Sequence, residues 1–231
     1  MTLRTTRLTL ETTMSERARV EAAWNRVEAW LSRHAPRSYE LLRPAATPGR
    51  IEEAERALGV RFTPELRALY LRHDGVLGAD LNEFGEQPLL PSGEDDPWHR
   101  QANAVDFMPN GQAWLPLDHV VSAHASPLSE YADDESARYV PVTASALHTM
   151  MYGTYLDLET GMLGTWADAS GLEPLGVGLA EWLEDGADAL VEARPTRTLG
   201  MLPYLSPTGD GLGWFDPDPL YEQDGWRPLD S

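Results

Sequence analysis

The chain has 231 residues, no cysteine, and 37 acidic against 18 basic residues, which gives a formal charge of −19. The missing cysteines exclude disulfides, thiolate zinc sites and cysteine nucleophiles, and the charge disfavours nucleic acid and anionic membranes as partners. No segment approaches the ~20 apolar residues of a membrane helix or resembles a secretory signal, so we expect a cytoplasmic protein.

The charge is unevenly distributed along the chain. Residues 1–72 contain 13 arginines and nine acids, whereas residues 73–231 contain five arginines and 28 acids, a balance of −23. A domain with this excess of negative charge would attract a basic protein. The alternative is that the acidity serves solubility alone.

The N-terminal region predicts a leader followed by a helix. Residues 1–14 show no apolar periodicity and are expected to be a disordered leader, with Met14 as an alternative start. Residues 15–34 predict an amphipathic helix that begins with Ser15 as its N-cap and stops before Pro36. Four residues at four- and three-residue steps form its apolar stripe: Val20, Trp24, Val27 and Leu31.

Two shorter helices are predicted to begin in the same way. Thr47 and Thr63 each precede a proline, which places a capping hydroxyl before a residue tolerated at the first helical position. The first helix is expected to end at Gly59 and the second near His73–Gly75.

The second half predicts a long loop, several strands and a closing helix. The loop covers residues 76–111, and the predicted strands cover residues 113–117, 138–142, 154–158 and 162–166. Pro141 favours an edge position or a strand end for its strand. Glu159–Gly161 predicts a hairpin between the last two strands. Residues 179–193 predict the helix, with Val191 in its apolar stripe and Gly186 as a weak point costing roughly 1 kcal/mol.

This order of elements predicts an α+β fold, with helices packed on one side of a mostly antiparallel sheet. The expected single domain covers residues 15–194. Residues 195–231 form an acidic extension rich in proline and tryptophan, which is either an arm laid across the domain or a docking segment.

No catalytic, metal or cofactor site is predicted. The adjacent pairs His73–Asp74 and Asp118–His119 are poor acid–base couples because neighbours in a strand point to opposite faces, and Asp74 better fits a turn. His119 and His124 do not have the four-residue step that stacks two ligands on a helix face. The chain also has no phosphate loop and no nucleophile elbow.

A partner-binding surface is predicted from acidic runs and from tryptophans without periodicity. Its residues are Glu94, Asp95, Asp96, Trp98, Asp133, Asp134 and Glu135. The predicted helix over residues 179–193 adds an acidic face. Trp24, Trp30, Trp166 and Trp182 are expected in the core. Trp214 and Trp226 either anchor a partner or fold back onto the domain.

An ordered set of short motifs resembles the SUKH superfamily, whose Smi/Knr-like domain is named partly after a fungal cell-wall assembly regulator. The matching residues in the first half are Ile51, Glu55, Leu58, Gly59, Pro64, Leu66, Tyr70, Asp74 and Gly75. Those in the second half are Trp114, Pro116, Leu156–Leu158, Gly161, Leu163, Trp182 and Leu183. The resemblance covers about residues 24–193. The glycine-rich turn that usually leads into the Leu-Asp-Leu strand is replaced by residues 146–151.

The resemblance implies a non-enzymatic binding domain. Many bacterial members look like immunity proteins that neutralise toxins, often nucleases, of polymorphic toxin systems. The leading hypothesis is therefore an immunity-type protein that binds a basic toxin or effector domain. The alternative is a regulatory scaffold in a signalling or cell-wall assembly pathway, and an enzyme is the third hypothesis.

Overall fold

The computed structural model describes residues 2–77, 104–124, 138–145, 152–167, 171–217 and 225–229, with side chains from residue 16 onward. Its helices are α1 (Thr2–His34), α2 (Pro36–Glu40), α3 (Pro48–Leu58), α4 (Pro64–Tyr70), α5 (Leu117–Ala123) and α6 (Leu179–Glu192). Its strands are β1 (Ala113–Trp114), β2 (Tyr139–Ala144), β3 (Tyr152–Asp157), β4 (Met162–Ala167), β5 (Gly171–Gly178), β6 (Leu202–Leu205), β7 (Leu212–Phe215) and β8 (Arg227–Pro228).

The strands form two antiparallel sheets. The larger sheet follows chain order, β1-β2-β3-β4-β5, and the smaller has the order β7-β6-β8. The predicted α+β class with a mostly antiparallel sheet is confirmed. The hairpin predicted across Glu159–Gly161 is also confirmed, since β3 and β4 pair with Leu156 opposite Leu163.

Local capping chemistry sets the start of α3 and of α4 and the end of α3, as the sequence predicts, whereas α4 ends at Tyr70, before the predicted His73–Gly75. The hydroxyl of Thr47 accepts a hydrogen bond from the N–H of Arg50 at 3.3 Å, and that of Thr63 accepts one from Leu66 at the same distance. Gly59 ends α3 with φ 72°, in the left-handed region that favours glycine.

Helix α1 begins earlier than predicted. It starts at Thr2, so Ser15 is not its N-cap, and residues 2–14 continue the helix instead of forming the disordered leader that the sequence predicts. The reason is that no proline or glycine interrupts the chain before Pro36. The predicted end is correct, because α1 stops at His34.

The strand predicted over residues 113–117 is only partly correct. β1 has two residues, and a helix that the sequence did not predict, α5, begins at Leu117. The residue before α5 is Pro116, which makes no side-chain cap. The cap comes from Asp74, whose Oδ1 accepts the N–H of Leu117 at 2.9 Å. A cap supplied from 43 residues away leaves no local signal in the sequence.

The proline of β2 does not lie on an edge strand. β2 is between β1 and β3, but the two-residue β1 pairs only with Thr143 and Ala144 and ends before it reaches Pro141. The β2–β3 register also shifts between Pro141 and Thr143. Pro141 is therefore tolerated inside the sheet. It lies beyond the end of β1 and next to an irregularity in the β2–β3 pairing, so no regular ladder hydrogen bond requires its missing N–H.

Helix α6 confirms the predicted closing helix, with two differences. Val191, predicted in the apolar stripe, is 64% exposed. Gly186, predicted as a weak point, is buried, and a Cβ there would overlap the ring of Pro109. The glycine is thus required for close packing against a distant loop, which outweighs its poor helix propensity.

The described part of the C-terminal extension lies across the domain. Trp214 and Leu212 of β7 are buried in the same apolar cluster as the helices. The N–H of Leu212 donates to the hydroxyl of Ser38 at 3.0 Å, and the indole N–H of Trp214 donates to the carbonyl oxygen of Phe107 at 2.9 Å. These contacts agree with an arm that folds back rather than a free docking segment.

Candidate interaction surface

All seven residues predicted for partner binding lie outside the described residues. They are Glu94, Asp95, Asp96, Trp98, Asp133, Asp134 and Glu135. Their assignment therefore stays a prediction. Of the predicted core tryptophans, Trp24, Trp166 and Trp182 are buried and Trp30 is half-buried.

Most arginines in the described part of the chain take part in ion pairs within the molecule. Among the arginines whose side chains the structure describes, those outside these pairs are Arg33, Arg56, Arg197 and Arg227. Exposed acids such as Glu52, Glu173 and Glu181 have no arginine partner among the described residues. Since most of these cations already pair with acids of the same chain, much of the surplus negative charge at the surface is uncompensated.

Part of the acidic face of α6 is engaged in contacts with α1. Glu184 receives two hydrogen bonds from Arg19 of α1, at 2.8 and 2.6 Å. Asp188 pairs with Arg26 of α1 at 2.7 Å. These two ion pairs join the arginine-rich first helix to the acidic last helix, and a docking role for the remaining acids of this face stays a prediction.

A third acid on α6, Asp185, is buried and binds the chain segment that follows the helix. Its carboxylate accepts the backbone N–H and the hydroxyl of Thr198 at 2.9 and 3.0 Å and pairs with Arg194 at 3.0 Å. Burial alone would raise the pKa of Asp185, but these donors bring it below its usual value.

Glu55 is the most completely enclosed acid in the described part of the helical layer, with 2% of its surface exposed. Its carboxylate accepts hydrogen bonds from Arg67 at 2.6 Å, from the N–H of Phe62 at 2.9 Å and from Arg61 at 3.1 Å. Burial acts to raise the pKa of Glu55, but the three hydrogen-bond donors have the larger combined effect, so the pKa lies below its usual value. The carboxylate therefore ties α3 to α4 through the connector between them.

The variant Glu55→Gln is expected to lose about 2 kcal/mol of unfolding free energy at pH 7, because hydrogen bonds from charged donors are lost while the donors remain. A lowered folded pKa stabilises the fold above the unfolded value of about 4.3, and this contribution disappears as pH falls through the folded pKa. Urea unfolding followed from pH 7 to 2.5 should show the two proteins converging in acid. Glu52→Gln, on the exposed face of α3, is the matched control and should cost under about 0.5 kcal/mol. A gap that persists at pH 2.5 would contradict this assignment.

The adjacent pairs considered as acid–base couples are His73–Asp74 and Asp118–His119, and both members of the first pair contact the backbone. His73 Nδ1 lies 2.7 Å from the carbonyl oxygen of Arg43, and Asp74 caps α5. Asp118 and His119 are on α5, just after the predicted strand over residues 113–117. No group of three or more His, Cys, Asp or Glu residues that could hold a metal ion occurs in the described ranges.

The surface depressions in the described regions include the following three. One of about 250 Å³ lies between α1 and α4, beside the exposed Leu71. One of about 430 Å³ lies at the C-terminal end of α3, next to Gly59. The third, of about 260 Å³, lies between α3 and α5. The third groove could not be expected from the sequence, because α5, which forms one of its walls, was not predicted.

The groove between α3 and α5 combines an apolar floor with charged walls. Its lining residues are Arg50, Glu53, Ala54, Ala57, Leu117, Asp118 and Val121. Leu117 and Ala54 are buried, Val121 is half-buried and Ala57 is exposed. An apolar floor with a few polar groups is typical of sites that bind another molecule.

A scan of the chain against protein-family models found no match, and a search of curated proteins found no significant relative. The SUKH resemblance accordingly stays a prediction. In the part of the chain that the structure describes, no helix has the length and apolar character needed to cross a membrane.

Proposed function

We propose that this chain is a non-enzymatic protein-binding domain, most concretely an immunity-type protein that neutralises a basic toxin or effector domain in the cytoplasm. The observation that carries the proposal is the distribution of charge. The chain has a net charge of −19, and most described arginines are engaged in internal ion pairs. A cationic surface would be steered to such a protein, whereas nucleic acid would be repelled.

The proposal predicts that the acidic run Glu94–Asp96 governs association. Neutralising it as Glu94→Gln/Asp95→Asn/Asp96→Asn should lower the association rate about tenfold at low salt, and by less near physiological salt, where the Debye length is about 8 Å. Trp98→Ala should instead accelerate dissociation, because a buried aromatic anchor is lost when the complex opens. Both rates can be followed by surface plasmon resonance at two salt concentrations.

The matched control removes the same charge elsewhere, as Glu52→Gln/Glu173→Gln/Glu181→Gln on exposed described positions. If this control slows association as much as the triple change at residues 94–96, net charge matters and the predicted loop does not. An unchanged association rate for the triple variant at low salt would remove the loop from the binding surface.

The partner is identified by affinity capture on the full chain from the native host, followed by purification of each captured protein. The expected partner is basic, forms a stoichiometric complex and arrests growth when expressed alone but not with this chain. A captured partner that is neither basic nor toxic would overturn the immunity proposal. Such a partner, drawn from a signalling or cell-wall pathway, would favour the regulatory scaffold instead.

A further inference from the structure

The groove between α3 and α5 is preformed. Its α5 wall is fixed at its first turn, because Asp74 caps the N–H of Leu117 and Tyr70 donates to the carbonyl oxygen of Leu115 at 2.9 Å. Its α3 wall is fixed at both ends by the Thr47 cap and by the enclosed Glu55. Binding of a ligand in this groove would therefore require little additional ordering of the protein, which lowers the entropic cost of binding.

The charges at one end of the groove nearly balance. Arg43 lies 3.5 Å from Asp118 and 3.9 Å from Asp74, and Arg50 lies 4.0 Å from Asp74. Two arginines thus share two carboxylates. Glu53, on the α3 wall, is the remaining charge, and no cation in the described ranges pairs with it.

The opposite part of the groove is apolar and shallow. Ala54 and Ala57 are one helical turn apart on α3, and their small side chains leave room for an incoming group beside Val121. The volume of about 260 Å³ is below the range of roughly 300–1,000 Å³ typical of small-molecule sites. It therefore suits one long side chain better than an entire ligand.

We propose that this groove receives one arginine or lysine side chain from the basic partner, with the aliphatic stem on Ala57 and Val121 and the charged head at Glu53. A side chain with an apolar stem and a cationic head matches an apolar floor with one uncompensated carboxylate. The inference rests on the proposed function for the identity of the partner, but the groove can be tested without it.

The test uses small probes and the full-length ¹⁵N-labelled protein. N-butylguanidinium carries stem and head, guanidinium lacks the stem and N-butylurea lacks the charge. Titration of each up to the same millimolar concentration should shift the amides of Ala54, Ala57 and Val121 most with N-butylguanidinium. Equal shifts with N-butylurea, or shifts that avoid the groove, would overturn the proposal.

Two variants test separately the charge of Glu53 and the open space beside Ala57. Glu53→Gln should weaken N-butylguanidinium binding about two- to fivefold, as expected for an exposed ion pair. Ala57→Leu fills the groove at an exposed helical position and should abolish the shifts without unfolding the protein. Glu52→Gln, one position along α3 from Glu53, should change nothing. Binding that survives Ala57→Leu would overturn the site.

The same variants distinguish failure of the groove from failure of the function. If a basic partner is captured and its rates are unchanged by Glu53→Gln and Ala57→Leu, the groove inference is wrong and the proposed function stands. If the probe binds as expected but no captured partner is basic, the groove stands and the proposed function is wrong.

Discussion

Replacing Trp214 with alanine is expected to lower the free energy of unfolding by about 3–5 kcal/mol. The side chain is 1% exposed and belongs to the main apolar cluster, so its removal loses burial and leaves a cavity. It also deletes the indole hydrogen bond to Phe107, which leaves a buried carbonyl oxygen without that donor. Urea unfolding monitored by far-ultraviolet circular dichroism measures the change.

Two comparisons test whether the extension is part of the fold. Trp214→Phe keeps most of the ring volume but loses the hydrogen bond, and should cost about 1–2 kcal/mol. Trp226→Ala removes a half-buried ring that contacts Phe215, and should cost less than Trp214→Ala. If Trp214→Ala is as stable as the wild type, the arm does not pack on the domain in solution.

Elements whose signals are local could be predicted from the sequence. Thr47 and Thr63 each cap a helix that begins at the next residue, and Gly59 ends one with a positive φ. The β3–β4 hairpin also follows from two apolar runs around a short turn containing Gly161. In each case the stabilising contacts are made within a few residues, so the pattern carries the information.

Elements that depend on distant contacts could not be predicted. Helix α5 is capped by Asp74, far away in the chain. Strand β5 contains Pro174 and three glycines, a poor strand composition, and forms by pairing with β4. Whether Trp214 folds back could not be decided, because its acceptor is the carbonyl oxygen of Phe107 and no periodicity surrounds it.

The ion pairs of the candidate surface also depend on contacts between residues that are distant in the sequence. Net charge could be read from composition, but the pairing of Arg19 with Glu184 could not, since the two residues are 165 positions apart. From the sequence alone, Glu184 would be counted among the unpaired surface acids. Glu53 is one residue in an ordinary charged helix by sequence, and it stands out only after Arg43 and Arg50 are found to pair elsewhere.

Replacing Trp24 with alanine is expected to cost about 3–5 kcal/mol of unfolding free energy. The indole is 2% exposed and packs edge-on against Trp114, with ring centroids 5.0 Å apart. Trp114 in turn contacts Tyr70 at 5.6 Å, so the three rings connect α1, β1 and α4. Loss of the Trp24 ring removes one of the buried apolar contacts that hold α1 against the rest of the fold.

Trp30→Ala, on the same helix but half-buried, is the matched control and should cost clearly less. The indole N–H of Trp24 has no acceptor in the described part of the molecule. Trp24→Phe should therefore cost less than Trp214→Phe, because no hydrogen bond is lost with the indole. Measured unfolding free energies that place Trp24→Ala no lower than Trp30→Ala would show that α1 packs through a different face.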